Sequence, residues 1–396
     1  MVYGRLAAGV LIGAAVMSSP AAAQQARKVS VGLHAEVEHD SNVSRSSDLR
    51  ASTLGLKPGD TIFTPSANVD LFIPVGRQSV FLTGSAGYSF YDQNKKLDRE
   101  RLDFTGGVNA GIGPCSTTLS SSYNRGLSQI DDPTLVSTVE NIQQTTRVQA
   151  QLGCSRPTGL GVVFTASHDW TANNLDFLKQ SDYQNSSLMG GLTYQRPALG
   201  TLTLFANYQK TEYADRIGSD GYEMTSVGAT FQRQLGARLQ GTVTVALANV
   251  DQLGGFPGLA DTSSETTTYD AGLSFRASDR LNFEASLDRA VTPSTGLGRT
   301  FDLSTGYRVS GEYKLGSRIS IGAGVGRVER ESEGGLLQPI IALTNSNTDT
   351  IFASVRYRQS ERLSFALNAR REERTANAPQ FEYTSNRIGI AADVSF

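Results

Sequence analysis

From Lys28 to Phe396 one pattern recurs: apolar side chains at every second position, polar or small ones between them, then a polar break. Val29, Val31, Leu33, Ala35 and Val37 share one face of the first segment, against Lys28, Ser30, His34, Glu36 and Glu38 on the other. Period two is the signature of a β-strand with one apolar face. About 18 such segments follow one another, each ~10 residues or longer, enough to cross a bilayer at ~45° tilt. A soluble sandwich would bury its apolar faces and use strands of ~5–6 residues. In hydrocarbon only helices and closed barrels satisfy every backbone group. The expectation is therefore an all-β chain, a transmembrane antiparallel β-barrel of about 18 strands (16–18).

The connections alternate between short and long. Four short ones repeat a pattern: Leu235-Gly236-Ala237-Arg238-Leu239, Ala277-Ser278-Asp279-Arg280-Leu281, Leu315-Gly316-Ser317-Arg318-Ile319 and Gln359-Ser360-Glu361-Arg362-Leu363. Each is a small or acidic turn, then Arg, then the first apolar residue of a strand. In outer-membrane barrels the short turns are periplasmic, so an even strand count puts both termini there. Aromatics such as Tyr88, Trp170, Tyr208, Phe275, Tyr313 and Tyr357 fall on apolar faces near strand ends, where they would form interfacial girdles. The last strand, with Ile388, Ile390, Ala392, Val394 and Phe396 on one face, must close the sheet against the first. It also resembles the terminal assembly signal of such barrels.

The N-terminus fits export. Arg5, an apolar run from Leu6 to Met17 and Ala21-Ala22-Ala23 read as a secretory signal peptide over residues 1–23, cleaved after Ala23; residues 24–396 would be the barrel. No later run approaches the ~18 apolar residues of a spanning helix. Net charge is −2, which argues against a nucleic-acid partner. The two cysteines, Cys115 and Cys154, begin one strand and end the next, so a hairpin brings them together; in an exported chain they are a disulfide candidate.

A barrel of this size leaves an aqueous lumen. Its lining candidates are Arg308, Arg356, Arg358, Arg370 and Arg387 on the last strands, and Asp270, Glu284, Asp288 and Glu312 just before them. Arg125 is placed inside as well. Basic and acidic walls side by side would set up a transverse field; the plainer alternative is charges that solvate a wet lumen. Two long connections, Leu253–Leu259 and Leu336–Leu343, are unusually apolar and would pack into the mouth or on the rim. Three histidines, His34, His39 and His168, give no assignable catalytic set. Asp40, Asn42 and Asp48 lack EF-hand spacing. No enzyme activity, cofactor or metal is expected.

The stretch Glu38-His39-Asp40-Ser41-Asn42-Val43 resembles a motif of an outer-membrane β-barrel porin family whose members resemble proteins encoded with exopolysaccharide systems. That resemblance implies an outer-membrane conduit, with polysaccharide-export proteins as partners under an export or capsule-assembly reading. The residues themselves suggest passive diffusion of small hydrophilic solutes through a charged lumen. Either way the partners are outer-membrane lipid, lipopolysaccharide and the barrel assembly machinery. Deleting Phe396 is expected to lower the amount of folded barrel in the outer membrane far more than it changes any pore property. Membrane fractionation beside single-channel recording checks this; normal insertion of the truncated chain would refute it.

Overall fold

A computed structural model describes residues 27–127, 141–216, 220–254, 263–294, 299–333 and 343–396. The expected signal peptide and most of the two apolar connections lie outside the described residues. The first nine strands are β1 (Lys28–Asp40), β2 (Asp60–Val75), β3 (Gln78–Tyr91), β4 (Arg99–Ile112), β5 (Cys115–Leu127), β6 (Ile142–Cys154), β7 (Gly159–Asn173), β8 (Tyr183–Arg196) and β9 (Gly200–Glu212). The rest are β10 (Gly221–Leu235), β11 (Leu239–Leu253), β12 (Ser263–Arg276), β13 (Leu281–Pro293), β14 (Phe301–Leu315), β15 (Ile319–Glu333), β16 (Asn345–Arg358), β17 (Leu363–Ala376) and β18 (Tyr383–Ser395).

Each strand pairs antiparallel with its sequence neighbours, and β1 pairs with β18, so an 18-stranded sheet closes on itself. The seam runs from Gly32↔Ser395 to Asp40↔Arg387, placing Leu33 opposite Val394, Val37 opposite Ile390 and His39 opposite Ile388. The Phe396 amide extends it by donating to the Val31 carbonyl at 2.8 Å.

All eight short turns lie at the rim where β1 begins and β18 ends. The repeated turns solve one problem in two ways. Gly236 and Gly316 take positive φ, 64° and 75°, which a residue with a Cβ adopts only at a cost. In the other two, Ser278 Oγ accepts from the amides of Arg280 and Leu281 at 3.2 and 3.1 Å, and Ser360 Oγ does the same for Arg362 and Leu363. The opposite rim carries the longer connections, including helix α1 (Asp48–Thr53). Leu343, the described end of one apolar connection, is buried there against Ala378 and Phe381.

Alternate residues point out and in. Outward, large apolar side chains remain exposed around the ring: Val31, Leu119, Leu204, Val245, Tyr307, Val309 and Leu367, for example, with Tyr208, Phe275, Tyr313 and Tyr357 nearer the strand ends. Charges on this outward register lie near the rims, Arg196 and Arg233 beside short turns and the others toward the long-loop rim. Arg125 is one of them, contrary to its expected inward position: it shares the register of Leu119 and Tyr123 and pairs with Glu100 at 2.8 Å. Inward, β7–β11 carry a small apolar patch of Met189, Phe205 and Ala246, with Val163 against it. Gly228 makes room for the Phe205 ring, since a Cβ there would lie 2.7 Å from its tip. Directly opposed threonines, Thr193–Thr203 and Thr230–Thr244, share hydrogen bonds of 3.0 Å.

The ladder parts early between β12 and β13. Its rungs run from Arg276↔Asn282 to Tyr269↔Arg289 and stop. Above that fork β12 pairs on with β11 to Ser263, and β13 with β14 to Pro293↔Phe301. The upper β13–β14 hairpin leans into the barrel. Val291, Phe301 and Leu303 form one buried cluster with Tyr222, Met224, Ala248 and Val250, which alternate with outward Val227, Val245 and Leu247 and so face the lumen. The Tyr222 and Phe301 rings lie 5.7 Å apart.

At the short-turn rim Cys115 and Cys154 are directly opposed and disulfide-bonded, with a sequence separation of 39. The bond closes the whole β5–β6 hairpin. On the chain-entropy model its removal costs about 4 kcal/mol, so the Cys115→Ser/Cys154→Ser variant is expected to unfold at markedly lower denaturant. An unchanged midpoint would show that the barrel walls alone fix this hairpin.

Candidate functional site

The inward faces enclose one large cavity of ≈ 2900 Å³. It is lined by eight of the nine charged positions expected from the sequence: Arg308, Arg356, Arg370, Arg387, Asp270, Glu284, Asp288 and Glu312. Arg358 is the exception. It ends β16 beside a short turn and lies in a separate rim pocket with Asp70, Arg362 and Asp393. The inward register there has already run past the lumen, which is why alternation alone misplaced it.

The basic wall is built by register. Arg370 on β17 and Arg387 on β18 are directly opposed, and like charges so placed destabilise a sheet unless something neutralises them. Glu372 does so from the next inward position, accepting from Arg370 at 2.5 Å and from Arg387 at 3.4 Å. Its other oxygen accepts from the Tyr383 hydroxyl at 2.5 Å. The Tyr383 ring has Arg374 at 5.0 Å and Arg45 at 6.0 Å from its centroid. Glu38 lies 4.0 Å from Arg387. Arg308 on β14 stacks over Phe352 on β16 at 4.7 Å.

The acidic group sits beside this wall on β12–β14. Asp270 and Asp288 are directly opposed on the rung below the fork. Gly306 leaves room for the Asp288 carboxylate; a Cβ there would lie 2.5 Å from its Oδ1. Elsewhere in the lumen two ion pairs stand out. Arg147 holds Asp169 through two bonds of 2.5 and 2.9 Å. His34 Nδ1 is 2.7 Å from Asp393. His168 faces outward instead, edge-on to Trp170 at 4.2 Å and within 2.7 Å of Ser186 Oγ.

Two residues of the basic wall were not singled out in the sequence. Glu372 was legible, since it shares the inward register of Arg370. Arg45 was not, because it belongs to the irregular β1–β2 connection. That connection also explains the Asp40–Val43 stretch locally. Asp40 Oδ1 accepts from the Asn42 amide at 2.9 Å and from Ser385 Oγ at 2.7 Å, and Oδ2 accepts from Arg45 at 2.7 Å. The motif thus ties the first long loop across the β1–β18 seam. Among the described residues no group of three or more metal-ligating side chains converges.

The inward hairpin is fastened at the long-loop rim by two residues of the β9–β10 connection. Tyr213 donates to the carbonyls of Ser294 and Thr300 at 3.0 and 3.2 Å. Arg216 donates to those of Ser294, Arg299 and Gln180 at 2.9, 2.7 and 3.0 Å, with its guanidinium 3.5 Å from the Tyr213 ring centroid. Complete burial pushes the Tyr213 hydroxyl far above its ordinary pKa, so it stays a donor throughout the neutral range.

No protein-family model and no curated protein matches the chain. Among solved structures it is similar to OccK2 (OpdF) of Pseudomonas aeruginosa in complex with glucuronate, at 12% identity and TM-score 0.49, covering 93% of this chain and 98% of that one. It is similar also to a BenF-like porin from Pseudomonas fluorescens Pf-5, at 11% identity and TM-score 0.49, covering 94% and 99%. A third is OccAB3 of Acinetobacter baumannii, at 11% and 0.47, covering 93% and 98%.

Glu372→Gln keeps the shape and removes the charge shared by Arg370 and Arg387. It is expected to lower stability by about 2–3 kcal/mol, read as the unfolding midpoint. No change would mean that lumen water screens the two arginines without help.

Proposed function

We propose that the chain is an outer-membrane channel through which small hydrophilic solutes diffuse passively, with a preference for anions. Short turns and termini would face the periplasm, and residues 1–23 would be the cleaved leader. A closed barrel with an apolar outer belt and a wet, charged interior supports a pore. The observation that carries the anion preference is the composition of the cavity wall. Twelve arginines on the inward register or in the rim connections line it, against nine carboxylates, while the chain as a whole is slightly acidic, at −2. Asp169, Asp302 and Glu372 pair with three of these arginines from behind the lining, so the positive charge is concentrated on the β16–β18 wall, where Arg356, Arg370, Arg374 and Arg387 sit. Low-dielectric walls lined by one sign of charge raise the local concentration of the opposite ion.

Within this lumen Arg308, Arg356, Arg370 and Arg387 are assigned to anion attraction. Asp270, Glu284, Asp288 and Glu312 are assigned to the opposing side of the field. The export reading, with a sugar polymer as cargo, rests on the Asp40–Val43 stretch and its neighbours, which have a local role in fastening the first loop.

In a planar bilayer under a potassium chloride gradient, the reversal potential is expected to show chloride preferred over potassium. Arg356→Ala/Arg370→Ala/Arg387→Ala should reduce that preference several-fold while conductance persists. Cation selectivity in the wild type, or no conductance at all, would sink the proposal.

A further inference from the structure

The upper β13–β14 hairpin has two places to go. In one, it leans into the lumen and buries Val291, Phe301 and Leu303 on the inner face of β10–β11. The other is written in the register. Continuing the β12–β13 ladder past Tyr269↔Arg289 would set Thr268 opposite Ala290, Thr267 opposite Val291 and Thr266 opposite Thr292. Three consecutive threonines are good strand formers, and they lie in an extended strand already paired to β11 on its other side. In that arrangement Val291, Phe301 and Leu303 would extend the outward register of Leu287 and Tyr307. Both arrangements give the apolar face a surface to lie on, so the hairpin is a two-state element rather than a misfit strand.

We infer that this hairpin is the channel's gate, zipping into the wall to open and folding onto β10–β11 to narrow the lumen, with Arg216 and Tyr213 as its latch. Two observations converge. The fork lies next to Asp270↔Asp288, and directly opposed like charges weaken a ladder at that rung. The latch residues belong to a different hairpin connection and grip the folded one through backbone carbonyls of Ser294, Arg299 and Thr300. Zipping would pull those carbonyls away from the β9–β10 connection. The folded position therefore depends on bonds that can be removed without touching the wall.

This inference rests on the channel reading only for its effect on conduction; the hairpin's position can be read separately. A Thr267→Cys/Val291→Cys variant of the full chain, reconstituted in vesicles, is treated with a short thiol–thiol cross-linker, to which the native disulfide is inert. Cross-linking is expected to be slow with an intact latch and at least several-fold faster with Arg216→Ala or, should that variant assemble poorly, Tyr213→Phe. The linked barrel should conduct more than the unlinked one. A Met224→Cys/Leu303→Cys pair reports the folded position and should link more slowly when the latch is broken. Equal Thr267–Val291 linking with and without the latch, or none in barrels whose Met224–Leu303 pair links normally, would overturn the gate. If linking follows the latch but no barrel conducts, the gate's two positions stand and the channel reading fails.

Discussion

Every feature of this molecule depends on one constraint: the backbone amides and carbonyls of the sheet must find partners in the sheet itself. An open sheet facing hydrocarbon would leave two edges of unpaired groups, each costing several kcal/mol. The β1–β18 seam removes those edges, and its nine rungs from Gly32↔Ser395 to Asp40↔Arg387 make the barrel a closed object. Closure then decides everything else. It fixes which alternate residues meet the outside and which meet the lumen, and it gathers charges from distant parts of the chain onto one wall.

The fork between β12 and β13 is the informative departure from that rule. A ladder abandoned while both strands continue must be compensated. Here the compensation is apolar burial of Val291, Phe301 and Leu303 on the lumen face of β10–β11, together with the Arg216 and Tyr213 bonds to the hairpin's carbonyls. The exchange converts a stretch of wall into an obstruction. It also explains why Tyr222, Met224, Ala248 and Val250 are apolar on the lumen face of β10–β11: they serve as a seat.

The basic wall shows the same economy of register. Arg370 and Arg387 are brought face to face by strand pairing, and Glu372, two residues from Arg370, neutralises both. One carboxylate shared between two guanidiniums leaves net positive charge in the wall. The pairing of Arg147 with Asp169 and of His34 with Asp393 cancels charge elsewhere.

Much of this was legible in the sequence. Strict alternation in segments such as Val29–Val37 and Ile388–Phe396 determined strand type, the outward face, the short-turn rim and the inward placement of Asp270, Asp288, Arg308 and Arg370, because side chains on a strand have only two directions to point. Alternation could not say where a strand leaves the lumen, so Arg358 at the rim was misplaced, and Arg125 was assigned against its own register. Nor could it say what covers an outward register. Val291, Phe301 and Leu303 lie on the same alternation as outward Leu287 and Tyr307, and only the tertiary structure decided that they turn onto the interior. Period two is a property of one strand. Which surface that strand's face meets depends on partners far away in sequence, here the β10–β11 wall and the Arg216–Tyr213 pair.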